Sequence, residues 1–292
     1  MGTPLFAGVA RVCAITLLTG LCIPAHAADV PVAPAAADGP PPGWVGPPPG
    51  WSGGVLGGAF RMPDFEGSRS SRNQPLLGGQ ATYRSASLGS IEMGSRGLNW
   101  TVAQSPAGNA GVGLSMDPGR IDNGDKKLTL VGLRPGSDRL AGMGSIGIAP
   151  VLSVFGTVKL GPVPVSAALK RATGRQDGTQ LDIGAALPWK IGPHAELSFG
   201  PAVTWADRNH MQAFFGVTPA QAAASHHAAF APGAGWKSAQ WVFDVDMALS
   251  RHWHVNAKLQ AKRLLGDAAD SPLTEKSTQV GGMLAVLYQF QL

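Results

Sequence analysis

The amino-acid sequence predicts an all-β fold: an antiparallel transmembrane β-barrel of about twelve strands, with long loops at its outer end and short turns at its periplasmic end. Three observations lead there. The last three candidate strands alternate apolar and polar residues over ten or more positions, the chain opens with an export leader, and only 14% of its residues are charged. In the first of those strands Ala239, Trp241, Phe243, Val245, Met247 and Leu249 fall on one face, and Ser238, Gln240, Val242, Asp244, Asp246 and Ala248 on the other. In the second, Trp253, Val255, Ala257, Leu259 and Ala261 oppose His252, His254, Asn256, Lys258, Gln260 and Lys262. In the last, Val280, Gly282, Leu284, Val286, Tyr288 and Phe290 share a face. Successive side chains point to opposite sides of a strand, so long segments of this kind with aromatic ends suit lipid on one side and a barrel interior on the other.

The N-terminal element is a leader. Arg11 precedes the apolar run Val12 to Leu18, and Ala25-His26-Ala27 fits the small-residue cleavage rule, so residues 1–27 read as a secretory signal peptide. Lipidation at Cys22 is the rival reading, and Leu21 before it is too large for that processing site. Cys13 and Cys22 both depart with the leader, which leaves the exported chain without a thiol, a disulfide or a cysteine metal site. Residues 1–27 hold one basic residue and no acid, so the exported chain keeps all but one of the whole-chain net charge of +5. The basic residues are scattered and not interleaved with aromatics, which argues against nucleic-acid binding.

Residues 28–50 are rich in Pro, Ala and Gly, and Gly39-Pro40-Pro41-Pro42-Gly43-Trp44 is echoed by Gly46-Pro47-Pro48-Pro49-Gly50-Trp51. Proline triplets favour an extended, semi-rigid spacer, so this segment reads as a periplasmic linker, either a plain tether or an arm that touches a partner. Residues 51–292 then form the barrel domain. Its predicted strands are 51–60, 75–84, 87–94, 97–104, 109–117, 146–159, 162–172, 178–190, 194–207, 235–249, 252–264 and 277–291. The two short, Gly-broken segments within 87–104 leave ten strands as the fallback. Counting back from Leu292 puts the short turns at 250–251, 191–193, 161–162 and 105–106 on the periplasmic side, and the long connections 61–74, 118–145, 208–234 and 265–276 outside, as short and long connections distribute in bacterial barrels. Two uncharged windows, Ala141–Val158 and Gly216–Trp236, are the rival helical spans; Gly and Pro in the first, and Ala, His and Pro in the second, make both poor ones. Trp189, Trp253, Tyr288 and Phe290 near periplasmic ends, and Trp205 and Trp236 near outer ends, read as interfacial anchors.

With the apolar faces toward lipid, the interior candidates are Lys170, Gln180, Asp182, Glu196, Gln240, Asp244, Asp246, Asn256, Lys258 and Lys262. The turn between the strands 235–249 and 252–264 sets Asp244 opposite Lys258 or one diagonal away. Two readings stay open for this set: a charged constriction that selects solutes, or a network that plugs a narrow barrel. Ser225, His210, His226 and His227 share one long loop, but no spacing marks a nucleophile and base, so no enzyme activity is expected. His226-His227 lacks a third ligand, and no metal or cofactor is expected. Asp267 and Asp270 read as acids that cap turns or meet a cation of the lipopolysaccharide layer.

Several stretches resemble the MipA/OmpV family of outer-membrane proteins, the MltA-interacting proteins. They are Arg263-Leu264-Leu265-Gly266-Asp267-Ala268-Ala269-Asp270-Ser271-Pro272-Leu273, Phe215-Gly216-Val217-Thr218, Trp205-Ala206-Asp207 with Met211, and Pro63-Asp64-Phe65-Glu66-Gly67-Ser68. The first is the family's hallmark loop, with Arg263, Gly266, Asp267, Asp270, Ser271 and Pro272 as its marked positions. The resemblance implies a bacterial outer-membrane barrel in contact with lipid and lipopolysaccharide. It also implies a scaffold role that brings a lytic murein transglycosylase and a murein synthase together, other members resembling small porins. The alternative function is a narrow channel for small polar solutes.

Overall fold

The computed structural model describes residues 50–291 apart from 86, 95–96, 123–125, 130–131 and 175–176. The expected signal peptide and the linker before Gly50 lie outside the described residues. Alternating segments form β1 (Gly50–Pro63), β2 (Ser71–Ser85), β3 (Gly89–Gly94), β4 (Gly97–Ser105) and β5 (Gly108–Asp117). A small hairpin, β6 (Lys126–Thr129) and β7 (Gly132–Pro135), sits in the following long connection. The sheet resumes with β8 (Ala149–Leu160), β9 (Val163–Ala172), β10 (Thr179–Ala185), β11 (Leu187–Ile191) and β12 (Ala195–Ala206). It ends with β13 (Gly235–Ala248), β14 (Trp253–Leu264) and β15 (Thr278–Gln291). All but the hairpin are neighbours in one antiparallel sheet, which closes where β1 meets β15 and β10 meets β12. Because β10 and β11 both run along β12, they are one strand interrupted at Ala186, and the barrel has twelve strands. Both short segments of the 87–104 region take part as β3 and β4, which removes the ten-stranded fallback.

Burial follows the two-residue period. Leu284 is 56% exposed and its neighbour Ala285 6%; Leu259 is 61% exposed and Lys258 5%. The outward faces form an apolar belt for lipid, and at about 25 cal/mol per Å² its transfer out of water supplies the main drive to insert. The inward faces are not uniformly polar. On β1, β2 and β15 the residues Leu56, Phe60, Met62, Leu76, Met283, Ala285 and Leu287 form a dry cluster inside the barrel. Polar and charged side chains gather on the facing strands β9, β10, β12, β13 and β14.

The long connections, read from sequence as loops, fold into a cap. Asp207 accepts a hydrogen bond from the backbone N–H of His210 and starts α1 (Arg208–Phe215). Thr218 and Gln221 form a reciprocal capping box, with Pro219 in the first turn of α2 (Pro219–Ala224). A third short helix, α3 (Gly266–Asp270), occupies the hallmark segment. Ala206, Met211, Phe214, Phe215, Leu264 and Ala268 pack as one cluster, and Phe65, Leu140, Met143, Val217 and Leu273 as another. Arg120 ties two of these segments together by donating from Nη1 to the Phe214 carbonyl at 2.8 Å. Burial pulls its pKa down to about 10, partly offset by Asp122, so it stays charged at neutral pH. The uncharged windows Ala141–Val158 and Gly216–Trp236 thus belong to this cap, to β8 and to the start of β13, and no helix among the described residues is long and apolar enough to cross a membrane.

Candidate functional site

The interior charges meet one another. Asp244 on β13 is directly opposite Lys258 on β14, their charged atoms are 2.9 Å apart, and both side chains are buried. Asn256 Nδ2 donates to the other Asp244 oxygen at 3.0 Å. On the next strands Lys170 Nζ lies 2.8 Å from Asp182, which also accepts from the Thr204 hydroxyl at 2.6 Å. Gln260 donates to Gln240, both of them buried. Nearer the short-turn end, His254 Nδ1 is 4.0 Å from Asp246, and the register sets Asp246 opposite Glu196 and Glu196 opposite Lys190.

A second cluster under the cap contains two residues that sequence reasoning missed. Glu66, on the β1–β2 connection, reaches into the barrel with one oxygen 3.2 Å from Lys262 Nζ and the other 3.4 Å from Lys237 Nζ. Lys237 also donates to Gln180 at 2.7 Å, with His210 Nε2 at 3.5 Å. Gln279 on β15 fastens the same connection: its amide nitrogen donates to Ser68 O, and its carbonyl accepts from the Gly67 N–H. Buried charges of this kind are costly unless paired, and here each has an opposite charge or an amide beside it. Glu66 escaped notice because strand periodicity says nothing about a loop residue. Lys237 escaped because the pairing of β12 with β13 shifts register between Thr204 and Trp205, so Lys237 and Ser238 are both buried and the alternation breaks just before Ala239.

The hallmark residues differ in what they contact. Arg263 is the last residue of the outward column of β14 and is exposed. Gly266 takes a positive φ of 47° at the start of α3, and Asp267 accepts from the Gly233 N–H at 2.6 Å, so it fastens two connections. Ser271 donates to the Phe215 carbonyl at 2.6 Å before Pro272 turns the chain, while Asp270 is exposed. The His227 ring engages the Arg139 carbonyl at 2.9 Å, and Ser225 Oγ accepts from the His227 backbone N–H, which is not a nucleophile–base arrangement. No group of three or more potential metal ligands occurs among the described residues.

Chemically, the interior is lined by a buried apolar cluster on one wall and by paired charges on the other, with a cored cap at the long-loop end. The ion pairs tie neighbouring strands to one another and the β1–β2 connection to the barrel wall.

Among solved structures, OmpT of Vibrio cholerae is similar at 9% identity over 82% of this chain and 97% of its own, with a TM-score of 0.38. The KdgM porin is similar at 6% identity over 81% and 99%, with a TM-score of 0.39. A bacterial polysaccharide outer membrane secretin reaches 8% identity over 82% and 98%, with a TM-score of 0.42. Likenesses this distant carry no inference about activity. No curated protein has a detectably similar sequence. The family model for the MltA-interacting protein MipA, in contrast, matches residues 55–290, nearly the whole barrel. The chain therefore belongs to the MltA-interacting protein MipA family and is a β-barrel of the outer membrane.

Proposed function

We propose that this barrel is a scaffold that brings a lytic murein transglycosylase and a murein synthase together at the periplasmic face of the outer membrane. The observation that carries the reading is the pairing of the interior charges, Asp244–Lys258, Asp182–Lys170 and Glu66 with Lys237 and Lys262, beneath a packed cap. Interior charges spent on one another leave the rims as the surfaces for partners. The family's description supports the transglycosylase as a partner, and the synthase rests on the resemblance to the scaffold members. The short-turn end and the linker 28–50 are the surfaces that would meet them, with the exposed rings of Trp189 and Trp253 beside that rim.

The test is capture of a purified lytic murein transglycosylase and a purified murein synthase by the refolded chain in detergent. A chain lacking residues 29–50 and a chain with altered short turns are run beside it. Ternary capture by the intact chain, weakened in the altered ones while their heat-modifiable migration persists, is the expected result. An intact, folded chain that captures neither enzyme overturns the reading.

A further inference from the structure

Along most outward columns of the barrel the apolar belt runs up to the long-loop end and stops. On three strands, β1, β9 and β14, it ends in an arginine, and two of these flank β15. The β14 column Trp253, Val255, Ala257, Leu259, Ala261 continues to Arg263, and the β1 column Val55, Gly57, Ala59 continues to Arg61. Between these strands lies β15, whose outward residues Leu284, Val280 and Thr278 lead to the exposed Lys276 just beyond the strand. The register sets Arg263 opposite Thr278 and Arg61 opposite Gly282. Three cations therefore border one apolar strand at the outer edge of the belt.

No acid neutralises them among the described residues. Arg61 donates only to the Asn73 side chain, at 3.1 Å, and Arg263 and Lys276 make no side-chain hydrogen bond or ion pair there. The nearby acids are committed elsewhere: Asp64 to Arg72 at 2.7 Å, and Glu275 to Arg139. Arg171, the outward arginine on β9 at the same end, differs, because Asp177 at 2.6 Å and Asp207 at 3.7 Å neutralise it. Among the described arginines that end an outward strand column, Arg61 and Arg263 thus lack an acid partner and Arg171 has one.

We propose that Arg61, Arg263 and Lys276 bind the phosphate groups of a phosphorylated, acylated glycolipid of the outer leaflet, with its acyl chains lying on Val280, Leu259 and Leu284. A guanidinium fork matches a phosphate bidentately, and an ammonium adds a compact charge beside it. Cations at a membrane edge attract anionic headgroups, and an apolar column directly below supplies the matching surface for the chains. A free phosphate ion would satisfy the cations and leave that column without a role, which favours the lipid. The site lies on the opposite rim from the scaffold surfaces and stands or falls independently of them.

The test uses the refolded exported chain in detergent, with native mass spectrometry reading retention of bis-phosphorylated lipid A against a phosphate-free lipid A. The triple variant Arg61→Gln/Arg263→Gln/Lys276→Gln is predicted to retain the phosphorylated lipid at least about tenfold less well, and Arg171→Gln to match the parent chain. The phosphate-free lipid is predicted to bind the parent as weakly as the phosphorylated lipid binds the triple variant. Should the triple variant not refold, Arg263→Gln alone, at an exposed position, is predicted to lose about fivefold. Undiminished retention by a folded variant, or displacement of the lipid by inorganic phosphate at matched concentration, overturns the proposal.

Discussion

Asp244 and Lys258 stand directly opposite one another on β13 and β14, and their charges meet at 2.9 Å inside the barrel. Removing one partner leaves the other buried and uncompensated, which typically costs about 3–5 kcal/mol. Lys258→Met is therefore expected to lower the unfolding midpoint of the refolded barrel strongly. The double variant Asp244→Leu/Lys258→Met removes both charges and is expected to recover most of the loss. Urea unfolding followed by tryptophan fluorescence measures both, and a double variant no more stable than Lys258→Met would sink the account of this pair.

Glu66 plays the corresponding part for the cap. It bridges Lys237 and Lys262 from a connection that is otherwise held by Gln279. Glu66→Gln is expected to loosen the cap by about 3 kcal/mol while the barrel strands keep their protection. Amide hydrogen exchange reads this directly: faster exchange at Gly67 and along α1, unchanged exchange in β13 and β14. Uniform loss of protection would instead make Glu66 a determinant of the whole barrel.

Most of the barrel was legible in the sequence, because a closed sheet between lipid and a packed interior imposes the two-residue period on every strand. Asp244 opposite Lys258 or one diagonal away followed from parity across one short turn, and the lengths of the connections agreed with twelve strands while ten stayed as the fallback. The cap was not legible in that way. Its helices are short, and their signals were local ones that strand periodicity does not register: Asp207 before α1, and Thr218-Pro219 with Gln221 before α2. The dry half of the interior was hidden for a different reason, since Leu56, Phe60 and Met283 are apolar on an inward face where polar residues mark the lumen elsewhere.

Glycines on the seam between β1 and β15 separate two kinds of close approach. At Gly58 an added Cβ would overlap the Leu284 carbonyl oxygen, which is backbone and cannot move aside. At Gly53 it would meet the Phe290 ring at 2.8 Å, a side chain that can rotate away. Gly58→Ala is expected to impair barrel closure and Gly53→Ala to cost about 1–2 kcal/mol, in the range of overpacking. The heat-modifiable fraction after refolding compares the two, and equal yields would contradict the seam geometry.

Asp267 accepts from the Gly233 N–H at 2.6 Å and is read as a fastener between connections. Asp267→Ala is expected to speed exchange at Gly233 by a factor set by about 1 kcal/mol, with no response to a divalent-cation chelator in either chain. Chelation that loosens the parent chain at Gly233 would assign Asp267 to a cation instead.

On the scaffold reading the interior passes no ions, because its charges are spent on one another. Single-channel recording of the refolded chain from Ala28 in a planar bilayer tests it most directly, beside a Lys258→Glu/Lys262→Glu variant. The account predicts a folded, heat-modifiable barrel without steady conductance. Steady conductance whose ion selectivity shifts with the variant would contradict it and make the barrel a channel.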